Sequence, residues 1–177
     1  KIILCLGSGF HTKGLDISLK IFAEFQQQLE DSALVIVGND KPGKFREQAQ
    51  SLGIERKVFF LGPRSPIGHL LHAVDLLLHP ARKELAGNAI IEAMLCGCPV
   101  LASDHCGFAF YITDYHMGGL IYASSTPKLI AQQLEKLLQQ EKTVWRERAT
   151  IFQSAVPVFE RAKSALVVVE KIVTQKK

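Results

Sequence analysis

"DLLLHPARKELAGNAIIEAMLCGCPVLAS", residues 75–103, decides the fold. An apolar run closes at Pro80, a loop with small residues at Ala86 and Gly87 follows, Asn88 opens a segment of helical period, and "PVLAS" (99–103) begins a second apolar run. Neither apolar run alternates with polar residues, as expected of strands covered on both faces, so the unit reads as strand, crossover helix, parallel strand. Outward from it, "KIILCLG" (1–7), "ALVIVG" (33–38), "KVFFLG" (57–62) and "GLIYA" (119–123) complete a set of six strands. Helices are predicted at about 14–29, 43–53, 66–73, 87–96, 109–114 and 127–140, with a helical region from 142 in which Pro157 sets off a last helix, "VFERAKSALVVVEKIV". The expected fold class is α/β, with one doubly wound, parallel, six-stranded sheet in a single domain, 1–177.

Composition narrows the function classes. A chain of 177 residues that is 47% hydrophobic buries one core, and 21 Lys and Arg against 17 Asp and Glu leave a mild basic excess of +4. That excess suits a small anionic ligand and falls short of a nucleic-acid surface. Cys5, Cys96, Cys98 and Cys106 fit neither a disulfide framework nor a paired zinc site, which points to a reducing compartment. No apolar run approaches the ~20 residues of a membrane-spanning helix, and no basic n-region precedes an apolar h-region. The chain starts at Lys1 and enters a strand at once, as an excised domain would.

In open sheets of this kind ligands lie at the carboxyl ends of the strands, so the loops there carry the candidates. After the first strand, "GSGFHTKG" spaces Gly7 and Gly9 as in a dinucleotide-binding turn but has Thr12 where the third glycine belongs. What remains is Lys13 with Gly14 at a helix start, where an ammonium, free amides and the helix dipole converge on a phosphate, or where a lysine is simply solvated. After the second strand, Gly38 in "VGNDKPGKF" allows close backbone approach or makes a plain turn. Arg64 in "LGPRSP" is a weaker candidate. After the fourth, Ala86, Gly87, Asn88 and Ala89 form a helix N-terminus suited to an anion.

Glu84 precedes the apolar helix and Glu92 interrupts it. A helix apolar nearly all round is covered on most sides, and a buried carboxylate there needs charge-assisted hydrogen bonds, which two vicinal sugar hydroxyls would supply. The alternative is a solvent-facing glutamate or one paired with a lysine. His69 and His72 read as a surface pair rather than metal ligands, and Phe108, Phe110 and Tyr111 either line a pocket or pack.

The pair Glu84 and Glu92, the "AG" between them, the "GCPVLAS" that follows, and Lys13 with Gly14 resemble the group 1 family of retaining, GT-B-fold glycosyltransferases across the whole chain. Within that family "VGNDKPGKF", "VDLLLHPA" and "CGFAFYI" are similar to the lipopolysaccharide core glucosyltransferase that adds the first glucose to inner-core heptose. The resemblance implies a Rossmann-like C-terminal half of a GT-B fold that binds the nucleotide-sugar donor, with the acceptor contacts in an N-terminal domain outside this chain. It implies Lys13 and Glu84 as catalytic residues, with Glu84 on the donor-sugar hydroxyls and Lys13 on the diphosphate. Amides around Gly87 and Asn88 would also hold the diphosphate and Glu92 the ribose, with Gly9, Gly38, Arg64, Ala86 and Ala89 completing the donor site.

The donor implied is UDP-glucose, with no metal or other cofactor, and the isolated domain would be inactive alone. The partners implied are the nucleotide sugar and a lipopolysaccharide core acceptor, not nucleic acid. The setting is cytoplasmic and compatible with peripheral association of the full-length protein at the inner face of the inner membrane. Two positions depart from the family: Thr12 stands where an arginine is usual, which leaves His11 as a substitute only if protonated, and Phe110 stands where many relatives have a glutamate. Two other readings are a non-catalytic nucleotide-sugar-binding module and a dinucleotide-binding oxidoreductase half, the latter disfavoured by Thr12 and by the lack of a well-placed acid after the second strand.

Overall fold

Six parallel strands form one sheet in the order β3-β2-β1-β4-β5-β6. In chain order the elements are β1 (Ile2–Leu6), α1 (Leu15–Gln26), β2 (Ala33–Val37), α2 (Gly43–Ser51), a single 3-10 turn (Glu55–Lys57), β3 (Val58–Phe60), α3 (Gly68–Ala73), β4 (Leu76–His79), α4 (Asn88–Leu95), β5 (Val100–Ser103), α5 (Ala109–Asp114), β6 (Gly118–Ile121), α6 (Pro127–Leu138) and α7 (Lys142–Ala155). The computed structural model describes residues 1–156, and the helix expected after Pro157 lies outside them.

The strands are apolar on both faces because each face meets helices. Ile3, Leu34, Leu76 and Leu78 pack with Phe22 and Phe25 of α1 and with Ile130 and Leu134 of α6, whereas Leu4, Leu77 and Val100 pack with Ile90 and Met94 of α4 and Ile112 of α5. The last described helix serves both layers, Trp145 joining the first and Phe152 the second. Helix ends fall inside the expected limits where local chemistry stops them. The left-handed Gly53 (φ 70°) turns the chain after α2, and Thr126 caps α6 by accepting the Leu129 N–H at 3.3 Å, with Pro127 in the first turn.

Strand order reverses between β1 and β4, and this switch point sets the site. The two strands pair in parallel, Ile3 with Leu76 and Leu4 with Leu77, so the loops that leave their carboxyl ends lie side by side. They touch at Gly14, a left-handed residue (φ 72°) where an added Cβ would come within 1.9 Å of the Pro80 carbonyl oxygen.

Candidate active site

Lys13 enters from the loop after β1 and Glu84 from the loop after β4. Lys13 Nζ donates to Glu84 Oε2, with the side chains 27% and 15% exposed. The other carboxylate oxygen accepts the Gly87 N–H at 3.2 Å. Burial alone would push the Glu84 carboxyl up, but the hydrogen bond and charge of Lys13, aided by His79 and the Gly87 amide, hold it below the ordinary carboxylate range. His79, the last residue of β4, brings Nε2 to 3.4 Å from the same Oε2, and burial together with the Lys13 charge pushes its pKa down against the pull of Glu84. Both effects favour the neutral imidazole. A second bridge fixes the lysine turn: the Arg82 guanidinium grips Asp16 with two 2.6 Å hydrogen bonds and donates to the His11 carbonyl, while the Arg82 N–H donates to the Thr12 carbonyl.

Lys13 and Glu84 stand on the wall of a cavity of about 420 Å³ that also takes in Ser8, Asn88, Ala89 and Glu92. The N-terminus of α4 opens into it. Gly87, left-handed at φ 88°, caps this helix, so Asn88 is its first residue and its side chain caps nothing. The Gly87 amide is taken by Glu84, and among the described residues the next two amides, of Asn88 and Ala89, have no hydrogen-bond partner. A second cavity of about 600 Å³ adjoins the first and shares Ile67, Asn88 and Glu92 with it. Its other walls are apolar, including Pro66, Leu71, Ile91, Leu95 and Phe108.

Glu92 stands on the border between the two cavities. The expectation that it is buried is corrected: it is the exposed side of a helix whose Ile90, Ile91, Ala93 and Met94 are buried. No hydrogen bond or ion pair reaches its carboxylate among the described residues, and partial desolvation raises its pKa.

The structure thus brings Lys13, Glu84, Ala86, Gly87, Asn88, Ala89 and Glu92 to one cavity, and it leaves Gly9, Gly38 and Arg64 outside. The Gly9 and Phe10 amides both donate to Asp40 Oδ2, at 2.5 and 3.2 Å, so an internal carboxylate already fills the glycine-rich turn. Gly38 permits a close approach within the chain: an added Cβ would meet the Gly7 carbonyl at 2.5 Å and the Phe10 ring at 2.6 Å. Arg64 is exposed and donates to the neighbouring Pro63 carbonyl, while its loop offers Pro66 and Ile67 to the cavities instead. His11 and Thr12 are exposed and line neither cavity. Residues the sequence reading missed are His79, whose one sequence signal is a histidine at the carboxyl end of a central strand, and the apolar Pro66 and Ile67 beside the arginine it singled out. The four cysteines are free, and burial pushes the thiols of Cys5 and Cys98 up to about 12.

Residues 1–152 match the family Glycosyl transferases group 1. The chain belongs to this glycosyltransferase family. As a group 1 glycosyltransferase chain it is similar to the lipopolysaccharide glucosyltransferase WaaG of Escherichia coli (strain K12), with 35% identity over 167 residues, which are 93% of this chain and 45% of that protein. The crystal structure of WaaG, a glycosyltransferase involved in lipopolysaccharide biosynthesis, superposes with a TM-score of 0.87 at 34% identity, over 93% of this chain and 45% of the other. Anabaena Alr3699/HepE, solved in complex with UDP-glucose, shares the fold with a TM-score of 0.80 at 23% identity, over 96% of this chain and 48% of that one. This glycosyltransferase chain spans less than half the length of each.

Proposed function

We propose that this chain is the donor-binding half of a two-domain, retaining GT-B glucosyltransferase that takes UDP-glucose and glucosylates a lipopolysaccharide core acceptor held by an N-terminal domain. The observation that carries the reading is the unpartnered Glu92 carboxylate between an apolar cavity and a polar one that ends at Lys13 and the α4 amides. A nucleoside diphosphate sugar has that sequence of chemistries. Its base takes the apolar cavity by Ile67 and Leu71, its ribose hydroxyls donate to Glu92, and its diphosphate meets the Asn88 and Ala89 amides at the positive end of α4.

Glucose then lies against Glu84. As the bond from the sugar to the diphosphate breaks, negative charge grows on the leaving phosphate. Lys13 and the α4 amides stand where that charge develops and stabilise it. They supply the positive potential without a metal ion. The similarity to WaaG supports glucose and a lipopolysaccharide acceptor, and the UDP-glucose complex of HepE supports the uridine donor. The proposed setting of the full-length protein is the cytoplasm, at the inner face of the inner membrane; among the described residues no helix is long and apolar enough to cross a membrane.

Asp40 on the Gly9 and Phe10 amides argues against the dinucleotide alternative, because the pyrophosphate would need those donors. Calorimetric titration with UDP-glucose, UDP, ADP-glucose and NAD, with and without EDTA, tests the reading. The expected result is uridine nucleotides binding better than NAD and unaffected by the chelator. Tight NAD binding with no response to UDP would sink it.

A further inference from the structure

The His79 side chain is 2% exposed, and its Nε2 is a buried nitrogen with no hydrogen-bond partner among the described residues. Native folds rarely leave such an atom unpaired, and each exception calls for a cause, a role in the site's chemistry among them. The facing polar atom is Glu84 Oε2, at 3.4 Å but outside hydrogen-bond geometry. That oxygen is already engaged by Lys13. Two partners therefore compete for Lys13: Glu84, which it neutralises in this structure, and an anion in the cavity it lines together with Asn88 and Ala89.

We propose that His79 is a positioning residue for Glu84: when a diphosphate draws Lys13 off Oε2, the Nε2–H of His79 takes over that oxygen and keeps the carboxylate aimed into the sugar end of the cavity. The inference rests on reading the cavity as a nucleotide-sugar site. Glu84 would then be held at both oxygens, by the Gly87 N–H on Oε1 and by the imidazole on Oε2. A neutral donor suits this place, since it steadies the carboxylate without competing with Lys13 for the diphosphate. A void of about 10 Å³ bordered by His79, Gly7, Lys13 and Leu78 leaves room for the small shift that turns the contact into a hydrogen bond.

The test compares wild type, His79→Leu and His79→Gln in calorimetric titrations of the 177-residue chain with uridine, UDP and UDP-glucose. Leucine removes the donor, and glutamine carries an N–H to the place of Nε2. The expected result for His79→Leu is a Kd raised roughly tenfold for UDP and UDP-glucose, the size of one lost charge-assisted hydrogen bond, with uridine unchanged. Glutamine restores most of the loss.

A second readout on wild type covers the case in which the leucine variant does not fold. The imidazole nitrogen resonances should show His79 neutral and protonated at Nε2, with that proton moving on addition of UDP and not of uridine. Unchanged UDP affinity in His79→Leu, an equal loss for uridine, or an unprotonated Nε2 overturns the role of His79 alone. A wild-type chain that binds none of the three ligands overturns the reading of the site and this inference with it.

Discussion

Lys13 and Glu84, 71 residues apart in the chain, share a hydrogen-bonded ion pair across the switch point of the sheet, and the other oxygen of Glu84 is tied to the Gly87 amide in front of α4. The pair joins the first crossover to the fourth and sets a cation and an acid side by side on the cavity wall.

Replacing Lys13 with alanine leaves Glu84 partly buried without its main partner. The loss in folding stability should be about 1 kcal/mol, less than for a fully buried charge-assisted bond because Lys13 is more than a quarter exposed. UDP affinity should fall as well. In a full-length enzyme turnover should fall further than donor affinity, because the lysine acts most strongly on charge that develops as the bond breaks. Urea melts, UDP titrations and single-turnover glucose transfer measure the three effects.

The pH dependence follows from the same pair. The folded pKa of Glu84 lies below its unfolded value, so its contribution to stability is fully present above the ordinary carboxylate range and is lost as pH falls through the folded value. Glu84→Gln should flatten the acid limb of a stability profile measured by urea denaturation between neutral pH and the onset of acid unfolding. An acid limb identical to wild type would show that the ion pair carries no folding energy.

Glu92 has the opposite sign. Its folded pKa is raised by desolvation, so the ionised form is disfavoured in the fold above both pKa values, and that cost disappears as pH falls through the raised value. Glu92→Gln should leave thermal stability at neutral pH equal or higher while weakening uridine nucleotides by on the order of 1.5–3 kcal/mol through lost bonds to ribose. A 2′,3′-dideoxyribose analogue should bind weakly and be nearly insensitive to the substitution. Equal losses for both ligands would make Glu92 a structural residue.

The sheet was legible because β1, β2, β4 and β5 are apolar on both faces, a pattern that needs helices on each side and so a parallel, doubly wound order. Lys13, Glu84 and Asn88 were legible because each stands in a loop or helix start at the carboxyl end of a strand that the pattern already located, and Glu92 because it interrupts an apolar helix. Gly9, Gly38 and Arg64 were placed on the cavity by the same logic and do not line it, since which atoms fill a glycine turn depends on a partner from another loop. Asp40 takes the Gly9 amide and the Phe10 ring fills the space over Gly38. Burial misled at Glu92 because a helix read as apolar all round keeps one open side when two cavities flank it. His79 escaped notice because an unpaired buried nitrogen is a tertiary property, invisible in the dipeptide "HP".

Gly14→Ala tests the contact that brings the two loops together. The added methyl would meet the Pro80 carbonyl at 1.9 Å from a residue with φ 72°, so both the space and the backbone conformation oppose it. The expected loss is on the order of 3 kcal/mol or more, with UDP affinity falling in whatever fraction folds, because Lys13 is the preceding residue. Denaturation with parallel UDP titration would measure both; a stable variant of normal affinity would show that the loops need not touch.

Backbone amide resonances followed during a UDP-glucose titration of the 177-residue chain tell a donor site at the N-terminus of α4 from a dinucleotide site at the glycine-rich turn. The expected result is saturable shifts concentrated at Ser8, Lys13, Ile67, Asn88, Ala89 and Glu92, with the Asn88 and Ala89 amides moving downfield as they acquire phosphate oxygens and the Gly9 amide staying on Asp40. Saturable shifts centred on Gly9 and Asp40 with NAD, and none at Asn88 and Ala89 with UDP-glucose, would contradict it.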